Sequence, residues 1–150
     1  AICIGDYFKI STENIKQSIE NYIPTNNRSQ LIKTKKNSLI LDAYNANPSS
    51  MKAMLLSFSE QKYLDKLCIL GDMLELGKDS EKEHEKIILL CKKLNLNCYY
   101  IGEEFKKVNK NAFQNREEFE GKIEENKISA KTILLKGSRG IGLEHLVKLL

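Results

Sequence analysis

The sequence predicts an α/β domain of three layers: a mostly parallel sheet, covered on both faces by helices, with one antiparallel strand at an edge. Three observations carry this. KLCILG (66–71), NCYYIG (97–102) and KTILLKG (131–137) are short runs that are apolar nearly throughout, as expected of parallel strands buried on both faces. Stretches with helical spacing of apolar residues separate them, and strand–helix alternation of this kind builds parallel sheets. Ahead of them, QLIKTKKNSLILDAY (30–44) reads as a hairpin, which supplies the antiparallel edge.

Taken in order, residues 1–10 (AICIGDYFKI) read as the end of a helix or strand belonging to something larger. STENIKQSIENY (11–22) opens with Ser/Thr capping chemistry and places Ile15, Ile19 and Tyr22 at helical spacing. The polar loop IPTNNRSQ, opened by Pro24, is the expected domain boundary. The hairpin has a half-exposed strand, a KKN turn and a buried strand. Pro48 then opens a helix with Met51, Met54, Leu55 and Phe58 on one face. After KLCILG, residues 80–95 read as a helix with Ser80 as N-cap and Glu83 at capping-box spacing. After NCYYIG, EEFKKVNKNAF reads as helical, and 115–127 as a short charged helix plus loop. The closing segment, SRGIGLEHLVKLL (138–150), reads as a helix.

The chain has 150 residues and suits one compact domain. Its net charge of +4 comes from 24 basic residues interleaved with 20 acidic ones. That forms no basic stripe, and with no Trp there is no stacking platform, so nucleic acid is not an expected partner. No apolar run is long enough to span a bilayer and no cleavable leader is recognisable, so neither membrane insertion nor export is expected. The start at Ala1 without Met leads to the expectation of a fragment. Cys3, Cys68, Cys91 and Cys98 show no CxxC spacing. This argues against zinc and for reduced, buried thiols in a cytoplasmic protein.

In open α/β sheets ligands bind at the carboxyl ends of the strands. Here those ends carry DAYNANP, GDMLELG, GE and KGSRG. Asp42 is able to accept two hydrogen bonds, as from ribose hydroxyls, and Asn45 and Asn47 offer donors and acceptors. The same residues also suit an ordinary turn into a helix. Lys136, Ser138 and Arg139 suit a carboxylate or phosphate, or else an N-cap flanked by solvated cations. Asp72 and Glu75 read either as groups orienting a cation or loop, or as plain loop solvation. His84, on a helix, reads as a surface or supporting group, and His145 is assigned nothing. Arg28, in the boundary loop, suits a bidentate phosphate contact or simple solvation. There is no GxxxxGK[ST] loop, no GxGxxG and no visible nucleophile–base pair, so no catalytic residue and no metal ligand is assigned.

DAYNANPSSM, GDMLELG with a His twelve residues beyond its Asp, and LLKGSR together resemble the carboxy-terminal third of the Mur ligases, in the branch that adds D-alanyl-D-alanine to UDP-N-acetylmuramoyl-tripeptide. The resemblance covers roughly residues 24–150, and AICIGDYF resembles the last helix of that family's central ATPase domain. It implies domains at 1–23 (end of the central domain) and 24–150 (a Rossmann-like carboxy-terminal domain). The implied enzyme is cytoplasmic, makes peptidoglycan precursors and is expected to be a monomer. In the implied reaction ATP phosphorylates the tripeptide carboxylate, and the amine of D-alanyl-D-alanine attacks the acyl phosphate. Magnesium and the phosphate loop would belong to the central domain, which with the N-terminal domain would be this domain's partner in the same chain. A lone fragment would then be inactive.

Residue by residue, the resemblance implies that Asp42 holds the ATP ribose. Asn45 and Asn47 would line the nucleotide and dipeptide side of the cleft, and Arg28 would reach toward ATP. NNRSQ departs from the family's PGR-like string at that loop, which puts the loop's backbone in question. Tyr44 sits where a sister ligase has a substrate-contacting lysine. Ser138 and Arg139 fall near the incoming substrate's carboxylate, supported by Lys136. Asp72, Glu75 and His84 fall on family positions without an assigned chemical step. Two other readings stand beside this one. A folylpolyglutamate-type sister ligase would prefer His at position 45. A stand-alone nucleotide- or peptide-binding module would keep the fold alone.

Overall fold

The computed structural model describes residues 1–150. Two short helices, α1 (Ile2–Tyr7) and α2 (Thr12–Glu20), precede the sheet. Strands β1 (Gln30–Lys33), β2 (Ser38–Asp42), β3 (Lys66–Gly71), β4 (Asn97–Ile101) and β5 (Thr132–Lys136) form one sheet in the order β1-β2-β5-β3-β4. Only β1 with β2 is antiparallel; the other pairings are parallel. Helices α3 (Pro48–Glu60), α4 (Ser80–Lys93), α5 (Glu103–Val108) and α6 (Arg116–Glu125) connect the strands. The architecture is therefore the expected three-layer one with an antiparallel edge.

Strand side chains alternate between two cores, as the period of two requires. Cys68, Leu70 and Leu134 face Met51, Leu55 and Phe58 of α3, Ile87 of α4 and Phe105 of α5. Leu67, Ile69, Ile133 and Leu135 face Phe119 and Ile123 of α6 and Leu143, Leu146 and Leu150 of the closing segment. Burying each such side chain is worth about 1.5–3 kcal/mol, which is why runs with no polar alternation settle in the middle of the sheet. β1 alternates half-buried and exposed residues, as an edge strand with one wet face should.

Three local expectations are corrected. The closing segment is not an α-helix but two 3₁₀ stretches, Arg139–Ile141 and Leu143–Lys148. Gly142 between them has a left-handed φ of 70°, which ends the first turn, and bonds such as His145 N–H to Gly142 O span three residues. The helix after β4 stops at Val108, because Asn109 is extended and the chain turns back. Phe113 then pairs alongside Ile101 and donates its N–H to Tyr100 O at 2.8 Å. Ser80 does not cap α4. It is the first helical residue, buried, with its hydroxyl 3.4 Å from His84 Nδ1. A capping box forms instead at α3, where Asn47 Oδ1 accepts from Ser50 N–H at 2.8 Å and Ser50 Oγ accepts from Asn47 N–H at 3.2 Å. Of the four cysteines, Cys68 and Cys91 are buried as expected, while Cys98 is half-buried and Cys3 is exposed.

α1 and α2 lean on each other at Gly5, where a Cβ would meet Ile15 Cδ1 at 2.7 Å. They leave Ile2, Ile4, Tyr7, Phe8, Tyr22 and Ile23 exposed. No helix is long and apolar enough to cross a membrane.

Candidate functional site

The carboxyl ends of β2, β3 and β5 bring together the segments that the sequence singles out. Asp42 ends β2 and Lys136 ends β5, in register with each other. Their side chains meet, Lys136 Nζ lying 2.5 Å from Asp42 Oδ2. Lys136 is only 2% exposed, and a buried ammonium needs such a partner. The other oxygen of Asp42 accepts the N–H of Ser29 at 3.0 Å, which ties the boundary loop to the end of β2. Two of the carboxylate's roughly four acceptor positions are thus used and the rest face the loop region.

Arg28 and Tyr44 meet because of that tether. The Arg28 guanidinium lies 4.0 Å from the centre of the Tyr44 ring, and the Arg139 guanidinium lies 5.8 Å from it. Cation–π contacts of this kind are worth about 0.5–1 kcal/mol at exposed sites. They hold two guanidiniums, neither of which has a hydrogen bond or ion pair, around the Tyr44 ring, and Tyr44 and Arg139 border a cleft of about 270 Å³. Tyr44, Asn45, Leu74, Glu75, Ser138, Arg139 and Gly140 line it. Asn45 is exposed there, while the side-chain oxygen of Asn47 is engaged by Ser50 N–H and by Ser49 Oγ at 2.9 Å.

Ser138 knots three loops. Its N–H donates to Asp72 O at 3.0 Å. Its hydroxyl accepts from Leu74 N–H at 3.0 Å and donates to Ala46 O at 3.4 Å. It is 4% exposed, so its hydroxyl holds the cleft together from beneath. Space under this knot is tight: a Cβ on Gly137 would come within 2.9 Å of Gly71 Cα on the neighbouring strand, so only glycine lets β5 and β3 approach this closely.

Asp72 and His84 are buried, so of their two readings the structure drops loop solvation for the first and a surface place for the second and keeps the roles of orienting a neighbouring loop and of a supporting group. Asp72 Oδ2 and Oδ1 accept the N–H groups of Glu104 and Phe105, each at 2.9 Å, and so fasten the start of α5 to the end of β3. Burial pushes the Asp72 carboxyl above its usual range, against the pull of those two donors. His84 Nε2 accepts Met73 N–H at 3.1 Å, so the ring proton sits on Nδ1, 2.8 Å from Ser80 O. The ring packs edge-on against Phe105 at 4.5 Å. Both residues therefore fix the backbone of GDMLELG.

A second, larger cavity of about 640 Å³ adjoins the first and shares Leu74, Arg139 and Gly140 with it. Arg116, Glu144 and His145 line it, and the sequence reading assigned none of them. Their charges lie in segments that look merely solvated, and only their place at the sheet's carboxyl end could have marked them. Arg116 is itself engaged by Glu117 at 2.6 Å and Glu120 at 3.0 Å. No three His, Cys, Asp or Glu side chains converge as a metal-ligating group.

Residues 27–139 match the protein family described as Mur ligase, glutamate ligase domain. The chain is 35% identical to the UDP-N-acetylmuramoyl-tripeptide--D-alanyl-D-alanine ligase of Bacillus subtilis (strain 168), over 99% of this chain and 35% of that protein. It is 34% identical to the enzyme of the same name from Rickettsia prowazekii (strain Madrid E), over 82% of this chain and 29% of that protein. Among solved structures, MurF from Acinetobacter baumannii superposes with a TM-score of 0.77 at 25% identity, over 98% of this chain and 34% of that one. MurF ligase from Thermotoga maritima in complex with ADP gives a TM-score of 0.78, over 99% of this chain and 35% of that one; at 17% identity it is a likeness of fold. The chain thus spans about a third of the length of the proteins it matches. With three quarters of its length inside the matched region, the chain belongs to the Mur ligase family.

Proposed function

We propose that this chain is the carboxy-terminal domain of an ATP-dependent amide-bond ligase that adds D-alanyl-D-alanine to UDP-N-acetylmuramoyl-tripeptide during peptidoglycan precursor synthesis. The observation that carries the reading is the meeting of Arg28 and Arg139 on the Tyr44 ring, beside the Asp42–Lys136 pair. Three segments far apart in sequence converge there, and each is one the family resemblance picks out. The relatives' names supply the substrates.

On this reading Arg28, Asp42, Asn45 and Asn47 form the nucleotide side. Arg28 faces phosphate, and the remaining acceptor positions of Asp42 face ribose hydroxyls. Tyr44 and Arg139 form the side of the incoming peptide, with Arg139 toward its carboxylate. Lys136 and Ser138 act beneath them, the first by holding Asp42 and the second by holding the loops. The domain supplies orientation and water exclusion rather than acid–base chemistry. Magnesium, which would neutralise phosphate charge, would be held by the central domain, since the donor set here does not suit it. Residues 1–23 would be the end of that central domain and 24–150 the domain proper; the exposed apolar residues of α1 and α2 support this division. The enzyme would work in the cytoplasm as a monomer.

The test is ADP release by the full-length protein. It should require both D-alanyl-D-alanine and the UDP-linked tripeptide, and Asp42→Ala should raise the KM for ATP. ADP release indifferent to the dipeptide would sink the assignment, while an unchanged KM would remove Asp42 from the nucleotide site.

A further inference from the structure

Glu75 stands out among the residues around the smaller cleft. It is the one carboxylate that lines it, together with Arg139, Tyr44 and Asn45. Asp42, another acidic residue of the strand-end segments, is already paired with Lys136. Glu75 is exposed and makes no hydrogen bond or ion pair. Its backbone is left-handed, with φ at 68°, a conformation that a non-glycine residue rarely adopts. The next left-handed position in the same loop is filled by a glycine, Gly77, at φ 56°. The residues just before it are held in place. Met73 N–H is fastened to His84 and Leu74 N–H to Ser138, and buried Asp72 anchors the strand end.

The lining of this cavity of about 270 Å³ thus includes an unpaired guanidinium and an unpaired carboxylate. That lies just below the range typical of drug-sized ligands, roughly 300–1,000 Å³. Its lining suits the two ends of a short zwitterion. We propose that Glu75 holds the ammonium end of the incoming dipeptide while Arg139 holds its carboxylate end, an inference that rests on the ligase reading above. Once it has passed a proton to water, the amine that attacks must reach an acyl phosphate outside this domain, which suits a holder as exposed as Glu75. Glu75 sets which peptides are accepted: those with a free amino group.

The experiment uses the full-length protein as wild type, Glu75→Gln and Glu75→Asp. It measures KM for D-alanyl-D-alanine and for ATP, and inhibition by propionyl-D-alanine, which keeps the carboxylate and lacks the ammonium. Glu75→Gln should raise the dipeptide KM by about ten- to hundredfold, the range for losing a charge-assisted hydrogen bond. It should leave the ATP KM and the propionyl-D-alanine inhibition constant unchanged, and Glu75→Asp should recover part of the loss. An unchanged dipeptide KM would overturn the proposal, as would an equal loss for ATP or for propionyl-D-alanine, which would make Glu75 a support of the loop. Wild-type protein that does not consume D-alanyl-D-alanine would overturn the ligase reading and this proposal together, whereas an active wild type with an indifferent Glu75→Gln variant would sink this proposal alone.

Discussion

Gly102 shows how much of the site depends on single backbone positions. It follows β4 with φ at 129°, and a Cβ there would overlap the Asp72 carboxylate. Glycine at this point lets Asp72 reach under the start of α5 and take the Glu104 and Phe105 N–H groups. Gly102→Ala should therefore destabilise the domain by at least about 2 kcal/mol, from backbone strain of about 1–3 kcal/mol plus the disturbed carboxylate. Urea unfolding of the variant beside the parent measures it, and a loss under half a kilocalorie would mean that Asp72 moves aside freely. The sequence marks Gly102 only as the residue that ends an apolar run. Its partner Asp72 lies thirty residues earlier, so nothing local reveals that the two are pressed together.

Among the elements, α3 is the one whose N-terminus bears on the cleft. Asn47 caps it by accepting Ser50 N–H, Ser50 returns the bond, and Pro48 occupies the first turn where its missing N–H costs nothing. The cap keeps NAN in place, so Ala46 O lies within reach of Ser138 Oγ. Asn47→Ala should cost about 1 kcal/mol of domain stability, readable as a lowered denaturation midpoint. No change would mean that another group replaces the cap. The closing segment teaches the opposite lesson. Its apolar residues at 143, 146 and 150 are buried as a helix face would be, yet the left-handed Gly142 breaks the segment into two 3₁₀ stretches.

Across the whole molecule, the two cores lie on the faces of the five-stranded sheet, and neither includes a residue from α1 or α2. Those helices carry an exposed apolar surface of the kind that marks an interface. Deleting residues 1–23 should therefore move the thermal midpoint of the remaining chain by no more than about 2 °C. It should also lower the binding of apolar dyes. A larger drop would make those helices part of this domain's own fold.

Strand identity, strand order along the chain, the antiparallel edge and the segments that face the site were legible in the sequence. Each rests on a local pattern: unbroken apolar runs, a hairpin turn, polar residues directly after a strand. Arg28, Tyr44 and Arg139 were legible as separate candidates, but not as neighbours, because their meeting depends on how the boundary loop is tied by Ser29 to Asp42. Nor could spacing distinguish a side chain that faces the cleft from one that holds it up. Lys136, Ser138, Asp72 and His84 are as polar as Arg139 and Glu75, yet the fold buries them and satisfies them with internal partners. Burial and pairing are properties of contacts between segments remote in sequence, so the tertiary structure alone decided them.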